Sequence, residues 1–197
     1  NQEAEPEEEE ERADSQQVEA STSVTSIPLE KFQDFDFVIS NFYTIDKTTS
    51  INGEQLNAPE LIQKDMHMKT ENDQPQILIY HSHSQEAFVD SVPGNPETTI
   101  VGAGTRLASI LTDAYGYYVI HVTDTFDIVE GKLDRDKAYS YAQEKISQVL
   151  DENPSVEVVI DLHRDGVSED KHLVTEVNGK PTAKIMFFNG LSRTTQN

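Results

Sequence analysis

Two apolar runs, Ile77 to Tyr80 and Val156 to Leu162, each break off at a histidine, and no other feature of the chain restricts its fold so strongly. Continuous runs of aliphatic and β-branched residues, with no polar alternation, suit strands that are covered on both faces by helices. The intervening chain supplies those helices. Val101 to Ala114 gathers Leu107, Ile110, Leu111 and Ala114 on one face and stops at Gly116, and Asp136 to Asp151 repeats Ala138, Ala142, Ile146, Val149 and Leu150 at three and four residues. Tyr117 to Val122 reads as a further strand. Beyond the Asn153-Pro154 breaker, Val156 to Leu162 reads as the best buried strand of the chain. Alternating strands and helices predict an α/β fold: a single domain with a central, mostly parallel or mixed sheet flanked by helices. Leu173 to Val177 and Thr182 to Phe188 lie on either side of Asn178-Gly179, the strongest short hairpin signal. No internal repeat is evident.

Ahead of this domain the character of the chain changes twice. Residues 1–26 carry the Glu7 to Glu11 run and then Ser, Thr and Gln, with too few apolar residues to offset the entropy of ordering, so a disordered acidic tether is expected there. From residue 27 to 75 apolar residues return in clusters such as Phe35, Phe37, Val38 and Ile39 that fit neither a long helix nor alternation. Leu56-Asn57-Ala58-Pro59 reads as a turn into a short helix. This stretch reads as a lead-in that packs on the domain of residues 76–197.

Composition removes several classes of function. Asp and Glu number 36 against 15 Lys and Arg, a formal net charge of -21, which repels the phosphates of nucleic acid. The chain has no Cys, so thiolate nucleophiles, disulfides and Cys-ligated zinc are excluded, and any metal must sit on His and carboxylates. No stretch approaches the roughly twenty apolar residues that span a bilayer. The abrupt acidic start suggests that an anchor or leader precedes it.

In open α/β sheets, ligands gather at the carboxyl ends of strands. One run leads into Tyr80-His81-Ser82-His83-Ser84-Gln85-Glu86 and the other into Asp161-Leu162-His163-Arg164-Asp165-Gly166. Histidines flanked by carboxylates at two strand ends are the supply of neutral N and anionic O that zinc takes without thiolate. In extended chain His81 and His83 point the same way, and Glu86 follows after a turn; Glu97 offers another carboxylate at the start of the next helix. Asp161 and Asp165 are placed to orient imidazoles, and Arg164 to clamp a substrate carboxylate or carbonyl. Other signals carry less. His67, His121 and His172 have no such setting, with His121 structural. Gly102-Ala103-Gly104 lacks the third glycine of a dinucleotide fingerprint and reads as a close packing contact. Asp124, Asp127, Asp134 and Asp136 match no calcium loop and read as solvated. Tyr115, Tyr117, Tyr118, Tyr139 and Tyr141 read as core and groove edge.

The pairing of these two histidine motifs, with Lys180 to Phe188, resembles the stage II sporulation protein P family of endospore-forming bacteria, from about Phe32 onward. What the resemblance implies is a zinc-dependent N-acetylmuramoyl-L-alanine amidase of the cell-wall amidase fold, tethered to the bacterial membrane on its outer side at the septum between forespore and mother cell. It implies work on peptidoglycan during engulfment, with endopeptidase action also credited to the family, alongside stage II sporulation protein D and a membrane anchor protein. By the same resemblance His83 and His163 correspond to Zn2+ ligands, and His81 to a ligand or a neighbour that orients one. Glu86 is favoured over Glu97 as the carboxylate ligand. The general base of such amidases is a late glutamate without an obvious counterpart here, so it is expected beyond Asn197. A non-catalytic peptidoglycan-binding or scaffold module is the alternative.

Overall fold

The computed structural model describes residues 27–168, 171–188 and 190; the expected acidic tether, residues 1–26, lies outside the described residues. Two compact units divide the chain, the second running from Asp65 to Phe188. In the first, helix α1 (Phe35–Phe42) begins where the Asp34 side chain accepts from the Phe37 N–H at 3.1 Å, which satisfies a helical amide that has no partner within the helix. Helix α2 (Ala58–Leu61) starts in the same way at Asn57, with Pro59 in its first turn. Val38, Leu56 and Ala58 form the small core of this unit, with Phe32, Phe35 and Phe37 packed against it.

The second unit is a three-layer α/β structure in miniature. Strands β1 (Ile77–Tyr80), β2 (Val119–His121) and β5 (Val158–Asp161) form one sheet in the order β2-β1-β5, and both pairings are parallel. Helix α3 (Ile100–Asp113) follows β1 and helix α4 (Arg135–Glu152) precedes β5. Strand alternation divides the side chains between these helices. Leu78 joins Val122, Phe126, Ala142, Ile146 and Val149 on the α4 side, with Tyr80 packed against them. Ile79 and His81 take the opposite face, where α3 comes close enough that a Cβ on Gly104 would stand 2.5 Å from His81 Nε2. The same helix needs Gly102, whose Cβ would collide with the Glu97 carbonyl. Gly102 and Gly104 are therefore close packing contacts, as the sequence suggested.

The α/β architecture and the positions of all three sheet strands agree with expectation, but the depth of burial does not. β1, with Leu78 and Ile79 fully buried, is the central strand, whereas β5 pairs on one side only among the described residues and leaves Val159 46% exposed. An apolar run shows that a strand is covered, not how many neighbours it has. Two hairpins complete the unit. β3 (Ile128–Val129) and β4 (Lys132–Leu133) turn through Glu130-Gly131, and β6 (Val174–Val177) and β7 (Lys180–Ala183) through Asn178-Gly179. In both turns the two central residues have positive φ, the two-residue turn whose twist matches paired strands. The tight turn sets Val177 opposite Lys180, so the second strand of β6–β7 begins earlier than the expected Thr182 and ends at Ala183. Ile185 to Phe188 lie outside it, exposed.

Candidate metal centre

β1 ends at Tyr80, and residues 82–85 form a turn. This fixes what each histidine can reach. His81 still follows the strand alternation and points under α3, where its Nδ1 lies 2.9 Å from the Leu162 carbonyl and its Nε2 2.9 Å from Nε2 of His121. A carbonyl only accepts, so His81 carries its proton on Nδ1 and its Nε2 accepts from the His121 N–H. Burial pulls both imidazoles below the usual histidine range, in His121 with the added effect of His81. His81 is fully buried in this pair and does not share the direction of His83, because the turn reverses the extended path that would have aligned them.

His83 emerges on the other side, against α4. Its ring centroid is 5.0 Å from that of Tyr139 and 5.3 Å from that of His163. Its Nδ1 is buried without a hydrogen-bond partner. Burial first, then Arg135 and His163, hold its pKa below the ordinary value. The turn that aims it is pinned by Asp127, whose carboxylate accepts from the Ser84 hydroxyl at 2.8 Å and the Gln85 N–H at 3.2 Å. Asp127 is 1% exposed, not the solvated loop residue its sequence setting suggested.

His163 follows β5 and stands between two carboxylates. Its Nε2 lies 3.0 Å from Asp161 Oδ2, and its Nδ1 3.5 Å from Glu86 Oε2. Ser82 donates to the same Asp161 from its backbone N–H at 2.9 Å and from its hydroxyl at 2.8 Å, fixing the carboxylate's orientation. Glu86 is bound at its other oxygen by Arg135 at 2.6 Å, and Oε2 also accepts from the Arg164 N–H at 2.6 Å. Hydrogen bonding to Asp161 and then Glu86 pushes His163 up to about 9. Burial alone would raise both carboxylates, but hydrogen bonds outweigh it and hold them low: those from His163 and Ser82 at Asp161, those from His163 and Arg164 at Glu86.

The expected residues are thus sorted. His83, Glu86, His163, Asp161 and the Arg164 amide come together. Glu97 is exposed, and no hydrogen bond or ion pair of its carboxylate joins them. Asp165 contributes only its carbonyl, which accepts from Arg164 Nη1 at 3.1 Å; the His163 imidazole is oriented by Asp161. Sequence reasoning missed Arg135, which sits four residues before Tyr139 on one face of α4, so that one helix turn reaches both Glu86 and His83.

Among the described residues, no group of three or more His, Asp or Glu side chains is arranged to hold a metal ion. The donor chemistry nonetheless fits a cation. With Nε2–H held by Asp161, a neutral His163 would turn the Nδ1 lone pair toward the Glu86 carboxylate, a repulsive pairing that a proton or a metal ion relieves. Tetrahedral zinc ligands bonded at about 2.1 Å stand roughly 3.4 Å from one another, close to this separation. The His83 ring, its centroid 5.3 Å from that of His163 and its Nδ1 unpartnered, is the third donor group nearby.

Comparison with known proteins decides the family. The model of stage II sporulation protein P matches residues 1–197. This chain belongs to the stage II sporulation protein P family. It is similar to stage II sporulation protein P of Bacillus subtilis (strain 168), with 23% identity over 137 residues, covering 65% of this chain and 34% of that protein. The chain therefore spans about a third of the length of the curated relative it matches. No solved structure matches. Family membership gives the chain a role in sporulation, and the resemblance read from its histidine motifs is the correct one.

Proposed function

We propose that the chain is the zinc-binding part of a peptidoglycan hydrolase, an N-acetylmuramoyl-L-alanine amidase that works during engulfment. The observation that carries this reading is the opposition of Glu86 Oε2 and His163 Nδ1 at 3.5 Å, with the His83 ring 5.3 Å from that of His163 between centroids. His83, Glu86 and His163 would hold Zn2+. Asp161 keeps the His163 proton on Nε2, leaving Nδ1 to the ion, the usual carboxylate–histidine arrangement of zinc sites. A bound zinc would supply Lewis acidity and a water acidified toward neutral pKa, the chemistry that amide hydrolysis needs.

The protein's own groups do the rest. Arg164 is fixed by its Nε–H to the Ala87 carbonyl at 2.8 Å, which holds its positive charge on the turn after β1, suited to a carboxylate or carbonyl of the peptide stem. Three carboxylates of this region are all engaged: Glu86 with Arg135 and Arg164, Asp161 with Ser82 and His163, Asp127 with Ser84 and Gln85. A general base other than these three is part of the same proposal. Action outside the membrane, endopeptidase activity and partnership with stage II sporulation protein D and a membrane anchor are part of the same proposal. No described helix is long and apolar enough to cross a membrane.

The closed ion-pair network around His163 supports a second reading, a peptidoglycan-binding module without metal. Zinc stoichiometry and wall digestion, measured for this chain and for a longer one, separate the two. One zinc per chain, lost in His83→Ala and His163→Ala together with digestion by the longer chain, is the expected result. Muropeptide binding that chelator leaves untouched, with no zinc taken up, supports the module instead.

A further inference from the structure

We infer that Asp127 is a positioning residue that ties the His83–Glu86 turn, through its carboxylate, to the start of α4, through its backbone carbonyl, so that the two elements holding the candidate site are set by one buried residue. The inference rests on the metal reading for its chemistry but on separate contacts for its geometry. Asp127 lies 43 residues from Ser84 in sequence, accepts its hydroxyl at 2.8 Å, and accepts the Gln85 N–H with the other oxygen. Ser84 is itself 2% exposed and receives a further bond from Gln85 Nε2 at 3.1 Å. Through its backbone carbonyl Asp127 accepts the Asp134 N–H at 2.8 Å. Asp134 is the N-cap of α4, its side chain accepting from the Lys137 N–H. Directly after that cap come Arg135, which binds Glu86, and Tyr139, whose ring meets His83.

One residue therefore holds the turn with its side chain and the helix start with its main chain. Neither contact involves a candidate ligand. A buried carboxylate in this place is costly unless its acceptor capacity is used, and here both oxygens are used by the turn. The alternative ways of holding Ser84 and Gln85 are few: apart from the Gln85–Ser84 bond between them, no other side chain bonds them among the described residues. Loss of the clamp frees the reversal that points His83 away from His81 and toward His163.

Asp127→Ala removes the clamp. Asp127→Asn keeps it, because the amide oxygen can accept from Gln85 while its NH2 donates to the Ser84 oxygen. The readout in metal-free protein is the exchange rate of the Arg164 amide, which depends on Glu86 being held and touches neither Asp127 nor Ser84. Asp127→Ala should speed that exchange by about tenfold or more with the sheet amides unchanged, and Asp127→Asn by less than about threefold. In competition with a chromophoric chelator, Asp127→Ala should weaken zinc binding about 10- to 100-fold, the range seen when support behind metal ligands is removed, with Asp127→Asn near wild type. If Asp127→Ala does not fold, Ser84→Ala removes one of the two bonds and is read in the same way. Unchanged Arg164 exchange in the alanine variants overturns the proposal, as does an asparagine variant that behaves like alanine. A wild-type protein that takes up no zinc overturns the metal reading alone, and the exchange data still decide the role of Asp127.

Discussion

Glu86 and His163 face each other across the seam between the turn after β1 and the end of β5, carboxylate oxygen to ring nitrogen at 3.5 Å, with Arg135 holding the far oxygen of Glu86 at 2.6 Å. On the proposed reading the pair would supply two of the three zinc ligands. Glu86→Gln should therefore lower zinc affinity at least ~100-fold, because a neutral amide is a far poorer ligand than a carboxylate. Glu97→Gln, altering an exposed side chain whose carboxylate makes no hydrogen bond or ion pair with the cluster, should leave affinity within about threefold on the same scale. Chelator competition reads both, and equal losses in the two variants would contradict the assignment of Glu86.

His81 separates from the ligands in the same experiment. Its imidazole is fully buried between the Leu162 carbonyl and His121, so His81→Ala leaves both partners unsatisfied and should cost about 1–3 kcal/mol of stability. Zinc stoichiometry, measured well below the melting temperature, should remain at the wild-type value. A folded His81→Ala protein without zinc would make His81 a ligand.

Gly104→Ala tests the space above that pair. Alanine favours a helix by about 1 kcal/mol over glycine. Here the added Cβ would stand 2.5 Å from His81 Nε2 and 2.7 Å from His121 Nε2, and overpacking of this kind costs about 1–3 kcal/mol. Steric cost should win, and urea denaturation should show a net loss. A gain in stability would mean that the two rings are free to move aside.

The metal-free protein should also weaken in mild acid. His81, His121 and His83 have folded pKa values below the ordinary 6.5, so the folded state resists their protonation, and their contribution is complete above pH 6.5 and lost as pH falls through the depressed values. His163 has the opposite sign: raised to about 9, it stabilises fully below 6.5 and loses its effect as pH rises through 9. Glu86 and Asp161 are lowered, so their contributions hold above their ordinary values of 4.5 and 3.8 and fade only below them. Between pH 4.5 and 6.5 the buried histidines therefore dominate the slope. Urea unfolding across that window should show falling stability as pH drops, less steeply in His121→Gln, and a flat profile would refute it.

Much of this was legible in the sequence, for reasons that are local. The β1 run, the three-and-four spacing of α4 and the Asn178-Gly179 turn are each written in a few adjacent residues, and the two histidine motifs mark the ends of strands because apolar runs stop there. What was hidden depends on partners far along the chain. Asp127 sits between core Phe126 and the two-residue β3, and the partners of its carboxylate, Ser84 and Gln85, lie more than forty positions back. The opposite directions of His81 and His83 follow from where β1 stops and the turn begins, a boundary that two residues of spacing do not reveal. The edge position of β5 is a count of neighbours, which no single strand encodes.

The parallel pairing of β1 with β5 has a consequence for how the protein comes into being. His81 and Leu162, in contact across that seam, are 81 residues apart in the chain. Closing so long a loop is entropically slow compared with forming helices or hairpins, so this seam is expected to join late in folding. Glu86, His163 and Asp161 all gather along it. A nascent chain leaving the ribosome then carries both halves of the cluster as inert pieces, and the cluster comes into existence only in copies that have completed their fold.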